Sequence, residues 1–419
     1  MPELSPRVKG HIDEGVIFAK WLLYACNIGI LVGLVGVAFH YGIDLAVEVR
    51  MHQPWLVWLL PLAGVTIILL YRVCGMEKDR GTNLVLVAVR DAQPLKLRTA
   101  PLIFTATILT HLVGGSAGRE GAALQLGGSL AAYIGRKIRL DEKDSRVMVM
   151  CGMAAAFSAL FGTPLTAAVF SMEVVSVGVM YYAAIVPCVV SALVGLKVAQ
   201  FCGLHAEHGY HISNIPQVDI TPMVQVAALG VLCAILSIWF CKAMHASSKI
   251  YAKYFTNPVI RAAVGGALIL ALTLLVGSQD YNGAGDPLIR RMLGGEDIPQ
   301  AFLLKILFTA ATLGAGFRGG EIVPVLCTGA AFGTLVGPML GLSQSFGGAL
   351  GMAAVFCGAT NCPLSALLLA YELFGGESLA LYALCCAVSY MLSGYYGLYS
   401  EQKIVYSKLR PEWIDKKAK

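Results

Sequence analysis

Gly152-Met153-Ala154-Ala155 returns 199 residues later as Gly351-Met352-Ala353-Ala354. At the same offset Phe157 returns as Phe356, Pro164-Leu165 as Pro363-Leu364, Ala167 as Ala366 and Glu173 as Glu372. Carried upstream, the register sets Gly115 against Gly314, Arg119 against Arg318 and Gly121 against Gly320. A register kept from Gly115 to Glu173 does not arise by chance, so the chain reads as two copies of one unit. Within the copies, Gly118-Arg119-Glu120-Gly121 and Arg318-Gly319-Gly320-Glu321 place ionisable, glycine-rich breaks between apolar runs. Interrupted segments at matching places in two halves point to the central ion site of a transporter.

Composition settles the class. Of 419 residues 57% are apolar and only 13% charged, and mean hydropathy is +0.71; soluble domains carry about 25% charged residues. Candidate spans run over Ile17–Phe39, Trp55–Tyr71, Leu102–Val113, Val147–Val169, Met180–Cys202, Val224–Phe240, Ala262–Val276, Phe302–Leu313, Ala353–Leu369 and Leu379–Leu392. Several fall short of the roughly 20 residues that cross a bilayer. They read as half-spanning helices packed within protein, as backbone at lipid depth requires. The expected fold is an all-α polytopic membrane protein.

The two halves are expected at about 14–205 and 218–406 of one transmembrane domain, with no soluble regulatory domain after the last span. Five segments counted in each half, an odd number, would turn the second copy upside down. Arg136, Lys137, Arg139, Lys143 and Arg146 occupy one connection and Lys403 to Lys419 a basic tail. Basic loops stay cytoplasmic, so both termini are expected inside, near anionic lipid heads; nothing suggests nucleic acid. The start lacks the apolar core and cleavage site of a signal peptide. Twelve cysteines lie scattered through apolar runs and read as small apolar side chains, without a disulfide framework. The link between the halves carries His205, Glu207, His208 and His211. No Cys or Asp completes a metal shell there, so it reads as a polar connector, and no cofactor is expected.

In Gly118-Arg119-Glu120-Gly121-Ala122, the apolar run after Ala122 reads as a helix start. Its first amides have no partner within the helix and, with the dipole, form an anion site. Glu120 stands there as a tethered anion, and protonation removes its reason to stay. A mobile anion competing with a proton-sensitive carboxylate is the minimum machinery for coupling the two. The bland reading is an N-cap or a fixed pair with Arg119. An ionisable residue amid membrane segments is a functional candidate by default. Glu321 opens the second such helix start, followed by Ile322 and Val323, and brings a second carboxylate to the same chemistry. Arg119 and Arg318 equally suit loop braces. Glu173 and Glu372, being duplicated, suit a shared architectural task such as capping. Tyr399 follows the last span and is either a hydroxyl donor to an anion or an interfacial anchor.

These residues together resemble the CLC superfamily of anion channels and anion–proton antiporters. Gly118-Arg119-Glu120-Gly121 is similar to its gating-glutamate motif, Gly320-Glu321-Ile322-Val323-Pro324 to its second-half Gly-x-Phe-x-Pro motif, and Leu398-Tyr399-Ser400 to the segment of its central tyrosine. The family's Gly-Ser-Gly-Ile-Pro is replaced by Asp79-Arg80-Gly81-Thr82-Asn83, the inner acidic residue after Glu173 by Val174, and the proline after Gly121 by Ala122. With the added Glu321, this set resembles the bacterial fluoride–proton antiporter branch. The resemblance implies a homodimer in the bacterial cytoplasmic membrane, with one pathway per subunit, that exports fluoride in exchange for protons. It implies Glu120 and Glu321 in gating and proton coupling. It implies Gly118, Arg119, Gly121, Gly320, Ile322, Val323 and Tyr399 in anion binding, with Gly81, Thr82 or Asn83 in place of the serine. A chloride–proton antiporter or chloride channel on the same scaffold is the alternative. A membrane enzyme using Glu120 and Glu321 as acid and base would need a nucleophile or metal cluster, and none is present in the sequence pattern.

Overall fold

The computed structural model describes residues 6–77, 79–91, 93–204 and 210–419, with side chains from Glu14 onward. His205, Glu207 and His208 lie outside the described residues. The first half contains α1 (Pro6–His52), α2 (Leu60–Val73), α3 (Thr82–Asp91), α4 (Thr99–Leu112), α5 (Glu120–Lys137), α6 (Glu142–Phe161), α7 (Pro164–Glu173) and α8 (Ile185–Phe201). The second contains α9 (Ile220–Tyr254), α10 (Pro258–Val276), α11 (Asp286–Leu293), α12 (Ala301–Ala315), α13 (Ile322–Met339), α14 (Gln344–Thr360), α15 (Pro363–Phe374) and α16 (Leu379–Leu392). Each half therefore has eight described helices rather than five segments. The missed ones are short and polar (α3, α11), glycine-rich with little apolar signal (α5), or apolar but broken up by glycines and passed over (α13).

Two expected spans, Val147–Val169 and Ala353–Leu369, are each broken in two. Gly162 ends α6 and Asn361 ends α14, both left-handed at φ 73° and 60°. Pro164 and Pro363 then open α7 and α15. A left-handed cap followed by proline stops one helix and starts the next.

The repeats are inverted, and the count of segments was the wrong reason for expecting it. Glu173, ending α7, accepts hydrogen bonds at the start of α15 from the Leu364 amide (3.0 Å), the Ser365 amide (2.8 Å) and the Ser365 hydroxyl (2.5 Å). Glu372, in α15, does the same at the start of α7, to the Leu165 amide (2.8 Å), the Thr166 amide (2.9 Å) and the Thr166 hydroxyl (2.6 Å). This reciprocal exchange is what a two-fold relation between the halves produces.

The register is not constant either. α7 and α15 open at Pro164 and Pro363, 199 apart, whereas α5 and α13 open at Glu120 and Ile322, 202 apart. The difference lies in α14, which has 17 residues against 20 in α6. Glu321 therefore stands opposite Arg119 in the repeat, and Arg318 is not the mate of Arg119.

Seven described helical spans are long and apolar enough to cross a membrane: those of α1, α6, α9, α10 and α13, and α2 and α8 together with the 3-10 turns that lead into them (Pro54–Val73 and Tyr182–Phe201). The most apolar window of α6 is 83% buried and that of α10 only 28%, so α5, α6, α13 and α14 form the interior and helices like α10 surround them. A Cβ at Gly152 or Gly351 would run into the facing carbonyl of Gly127 or Gly329, so glycine lets these interior helices cross at backbone contact. One apolar core continues through both halves.

The departure from an all-α fold is a small sheet of β1 (Ser176–Val177), β2 (Lys403–Tyr406) and β3 (Trp413–Lys417), with β1 parallel and β3 antiparallel to β2. It folds the basic tail against helix ends. Gln402 donates to the carbonyls of Val174 (3.0 Å) and Thr360 (2.8 Å). Lys408 donates to the Tyr390 carbonyl (3.1 Å) and to Asn361. The Val174, Thr360 and Tyr390 carbonyls are orphans that helix C-termini leave, and the Asn361 contact is to its side-chain oxygen.

The crossed caps carry an expected outcome. Glu173→Ala or Glu372→Ala leaves two amides and a hydroxyl unpaired at a helix start, at about 1–3 kcal/mol per buried group. Thermal unfolding in detergent should show a clearly lowered midpoint for each; unchanged midpoints would contradict the capping role.

Candidate functional site

The two glycine-rich breaks meet. The Gly118 amide donates to the Gly320 carbonyl and the Gly320 amide to the Gly118 carbonyl, both at 2.7 Å, as one antiparallel bridge between the halves. From it α5 and α13 depart with their N-termini together. A Cβ on Gly121 would stand 2.9 Å from the Gly320 Cα, and one on Gly118 3.0 Å from Glu120 Oε2. A larger residue at Gly121 would therefore have to push the facing backbone away, and one at Gly118 would crowd the Glu120 carboxylate.

Glu120 is fully buried at the first position of α5. Its Oε2 accepts the Arg119 amide at 3.1 Å, and Oε1 lies 3.7 Å from Arg119 Nε with no hydrogen bond. Its carboxylate thus folds back onto the helix start, as a tethered anion would. Glu321 is the N-cap of α13. Its Oε2 is buried without a partner, 3.5 Å from where a Gly121 Cβ would be. Ile322 and Val323 form the buried first turn of α13. Tyr399 is 1% exposed, its hydroxyl unpartnered, within electrostatic range of Glu321 and Glu120. Gln125, one turn into α5, donates to the Gly121 carbonyl (3.3 Å) and to Thr82 (3.4 Å), and its own carbonyl oxygen is unpartnered.

Four unpartnered polar atoms, from Glu120, Gln125, Glu321 and Tyr399, thus lie about two converging helix starts. Buried polar groups are almost always hydrogen-bonded, so this concentration makes the meeting point the candidate ligand site.

Some predicted residues lie apart. Of the stretch replacing the family serine, only Thr82 reaches the site, its hydroxyl 3.4 Å from the Gly121 carbonyl. Gly81 forms a left-handed turn on Asp79, its amide donating at 2.8 Å. The Asn83 side chain turns away and accepts the Glu401 amide at 3.0 Å. The Arg119 guanidinium stands at the edge of the site: its Nε is 3.7 Å from Glu120, while its Nη1 pairs with Asp44 at 3.1 Å on the wall of a cavity of about 830 Å³ that His40, Arg50 and Asp286 also line. Arg318 braces a loop, stacked 4.3 Å over the Tyr71 ring and 3.5 Å from Asp79.

Sequence reasoning missed Lys305, although the signal was an ionisable residue inside the apolar run Phe302–Leu313. Lys305 is fully buried in α12. Its ammonium donates to the carbonyls of Gly283 (2.8 Å) and Tyr281 (3.2 Å) and to the Ser116 hydroxyl (3.1 Å). Ser116 is held further by Thr309 (3.0 Å) and, through its amide, by Thr312 (3.0 Å). Lys305 thereby pins the loop that delivers Gly118. Among the described residues no group of three His, Cys, Asp or Glu could hold a metal.

The class these features define is a polytopic membrane protein of inverted repeats with one buried site where the repeats touch. The family model described as voltage gated chloride channel matches residues 64–394: the chain belongs to the CLC family of voltage gated chloride channels. It is 36% identical over 405 residues to the "Chloride/fluoride channel protein" of Pseudomonas syringae pv. tomato, covering 95% of this chain and 89% of that one. A crystal structure of a CLC-type fluoride/proton antiporter superimposes with a TM-score of 0.88 at 30% identity, over 92% of this chain and 98% of the other. A slow cyanobacterial Cl⁻/H⁺ antiporter shares the fold with a TM-score of 0.75 at 17% identity, over 89% and 94%.

The Lys305 contacts generate a further expectation. Lys305→Met removes the donor to two buried carbonyls and a hydroxyl, each costing about 1–3 kcal/mol when left unpaired. The variant should unfold at markedly lower temperature in detergent, and an unchanged midpoint would show that the ammonium is not holding the loop.

Proposed function

We propose that this protein is a secondary active transporter that exports fluoride in exchange for protons. The observation that carries the reading is the pair of carboxyls, Glu120 and Glu321, each with an unpartnered oxygen, at two helix starts that touch. The likeness to a CLC-type fluoride/proton antiporter supports it, as does the relative named a chloride/fluoride channel protein. A family of channels and transporters also argues against an enzyme.

Glu120 serves as the proton-sensitive gate. Charged, its carboxylate holds the helix-start amides; protonated, it gives them up to fluoride. Anion and proton cannot then pass independently. Fluoride is small and tightly hydrated, so a site must replace its shell with short, strong donors. The amides of Gly121, Ile322 and Val323, the Tyr399 hydroxyl and a protonated Glu321 supply such donors. Gly118 and Gly320 keep the two helix starts in contact, and Thr82 stands in the place of the family serine. Arg119 acts from the cavity side, paired with Asp44. An inward proton gradient would drive fluoride out. We further infer a homodimer in the bacterial cytoplasmic membrane with both termini cytoplasmic, supported by basic residues in the connection 136–146 and in the tail.

Proteoliposome flux with a proton readout tests the proposal. The unmodified protein should move fluoride much faster than chloride, with protons carried uphill by a fluoride gradient. Chloride moving as fast as fluoride would hand the case to a chloride transporter. Glu120→Gln should abolish proton movement driven by the anion; retained pumping would remove Glu120 from the mechanism. Glu321→Ala should slow fluoride or change its coupling, and unchanged exchange would reduce Glu321 to a cap.

A further inference from the structure

The tail that follows Tyr399 makes a contact that the transport machinery above does not use. Glu401, two residues beyond Tyr399, has a side chain only 13% exposed. Its carboxylate lies 3.2 Å from Arg80, 3.6 Å from Arg90 and 2.5 Å from Lys417. Its backbone is tied as well: the amide donates to Asn83 at 3.0 Å, and the carbonyl accepts from Arg90 Nη1 at 2.5 Å. Asn83 and Arg90, seven residues apart, share one face of α3. Residue 401 therefore grips α3 along its length, while Arg80 reaches the same carboxylate from the turn before the helix.

That grip lies one residue from Thr82 on one side and two from Tyr399 on the other. Asp79, in the same turn, accepts the Gly81 amide and lies 3.5 Å from Arg318 of the second glycine-rich break. One small cluster thus joins three of the segments that line the site. We propose that Glu401 is a positioning residue for anion selectivity: it clamps α3 to the tail so that the Thr82 and Tyr399 hydroxyls hold a spacing suited to a small anion. This rests on the fluoride reading above.

Isolated exposed ion pairs contribute little, and Arg80 and Lys417 are themselves exposed, but the Glu401 carboxylate is largely covered, Arg90 is 14% exposed, and two backbone bonds join the same contact, where partners reinforce one another. Lys417, foremost, with Arg90 and Arg80, holds its carboxyl below the usual range. Among the described residues Glu401 is the acidic partner of both Arg80 and Lys417, whereas Arg90 also has Asp91 at 2.7 Å. Removing the carboxylate therefore frees Arg80 and Lys417 and leaves their two like charges uncompensated, while Arg90 keeps Asp91. A constellation that discriminates by size must be held to about 0.5 Å, so slack in α3 admits the larger anion.

The test compares fluoride and chloride efflux from proteoliposomes for the unmodified protein, Glu401→Gln and Glu401→Asp, each checked as monodisperse in detergent. Glu401→Gln should raise the chloride-to-fluoride rate ratio by about tenfold, equivalent to about 1.4 kcal/mol of lost discrimination. Glu401→Asp, which keeps the charge, should fall between. An unchanged ratio overturns the inference, and so does an equal loss of both rates, which would make Glu401 a prop of the fold only. If instead the unmodified protein itself shows no preference for fluoride, the fluoride reading fails, and that outcome is visible before any variant is compared.

Discussion

Two backbone hydrogen bonds between Gly118 and Gly320, each 2.7 Å long, set the arrangement on which everything else in this molecule depends. Helix starts repel one another, because each presents unpaired amides and the positive end of its dipole. Bringing two of them together inside a membrane protein is unfavourable unless negative charge lies between. The sequence provides that charge from the same two segments: Glu120 on one side and Glu321 on the other. The glycines are needed for the approach, since a Cβ at Gly320 would fall 2.5 Å from the Gly121 amide. The outcome is a place whose exposed amides suit an anion, with two carboxyls of the chain itself beside them.

The surrounding structure keeps that meeting point in place. Crossed capping by Glu173 and Glu372 ties the two repeats together at a second pair of helix starts. Glycine crossings bring α5 onto α6 and α13 onto α14 at backbone contact, so the interior cannot shift without a clash. Lys305 fixes the loop that leads into Gly118, and Arg318 fixes the turn at Asp79. Rigid surroundings suit a site that must replace the hydration shell of a small ion, because donors that drift lose the short contacts that compensate dehydration.

Much of this was legible in the sequence, and the remainder was hidden for identifiable reasons. The repeated Gly-Met-Ala-Ala and Pro-Leu blocks revealed the duplication because they lie in α6, α7, α14 and α15, where backbone crossings tolerate few residues. The glycine-rich breaks revealed the site because ionisable residues are rare between membrane helices. The register failed upstream of these blocks because α14 is three residues shorter than α6, a change that leaves no mark in composition. Short helices such as α3 and α11 were missed because Asn83, Arg90, Arg290 and Arg291 make them look like loops. Gly81, Thr82 and Asn83 were equal candidates to replace the family serine; neighbouring helical residues point about 100° apart, and in the structure the Thr82 hydroxyl turns to the Gly121 carbonyl while Asn83 turns to the Glu401 amide. The tail sheet had no strand pattern strong enough to be read, since it forms by closing over helix ends.

The central claim is that Glu120 and Glu321 serve one shared anion site rather than two independent ones. A double-mutant cycle of Glu120→Gln and Glu321→Gln, read out as fluoride turnover in proteoliposomes, tests it most directly. Residues at one site couple by about 0.5–3 kcal/mol, while independent sites add within roughly 0.5 kcal/mol. The account predicts a double variant hardly slower than the slower single one, and effects that multiply would contradict it.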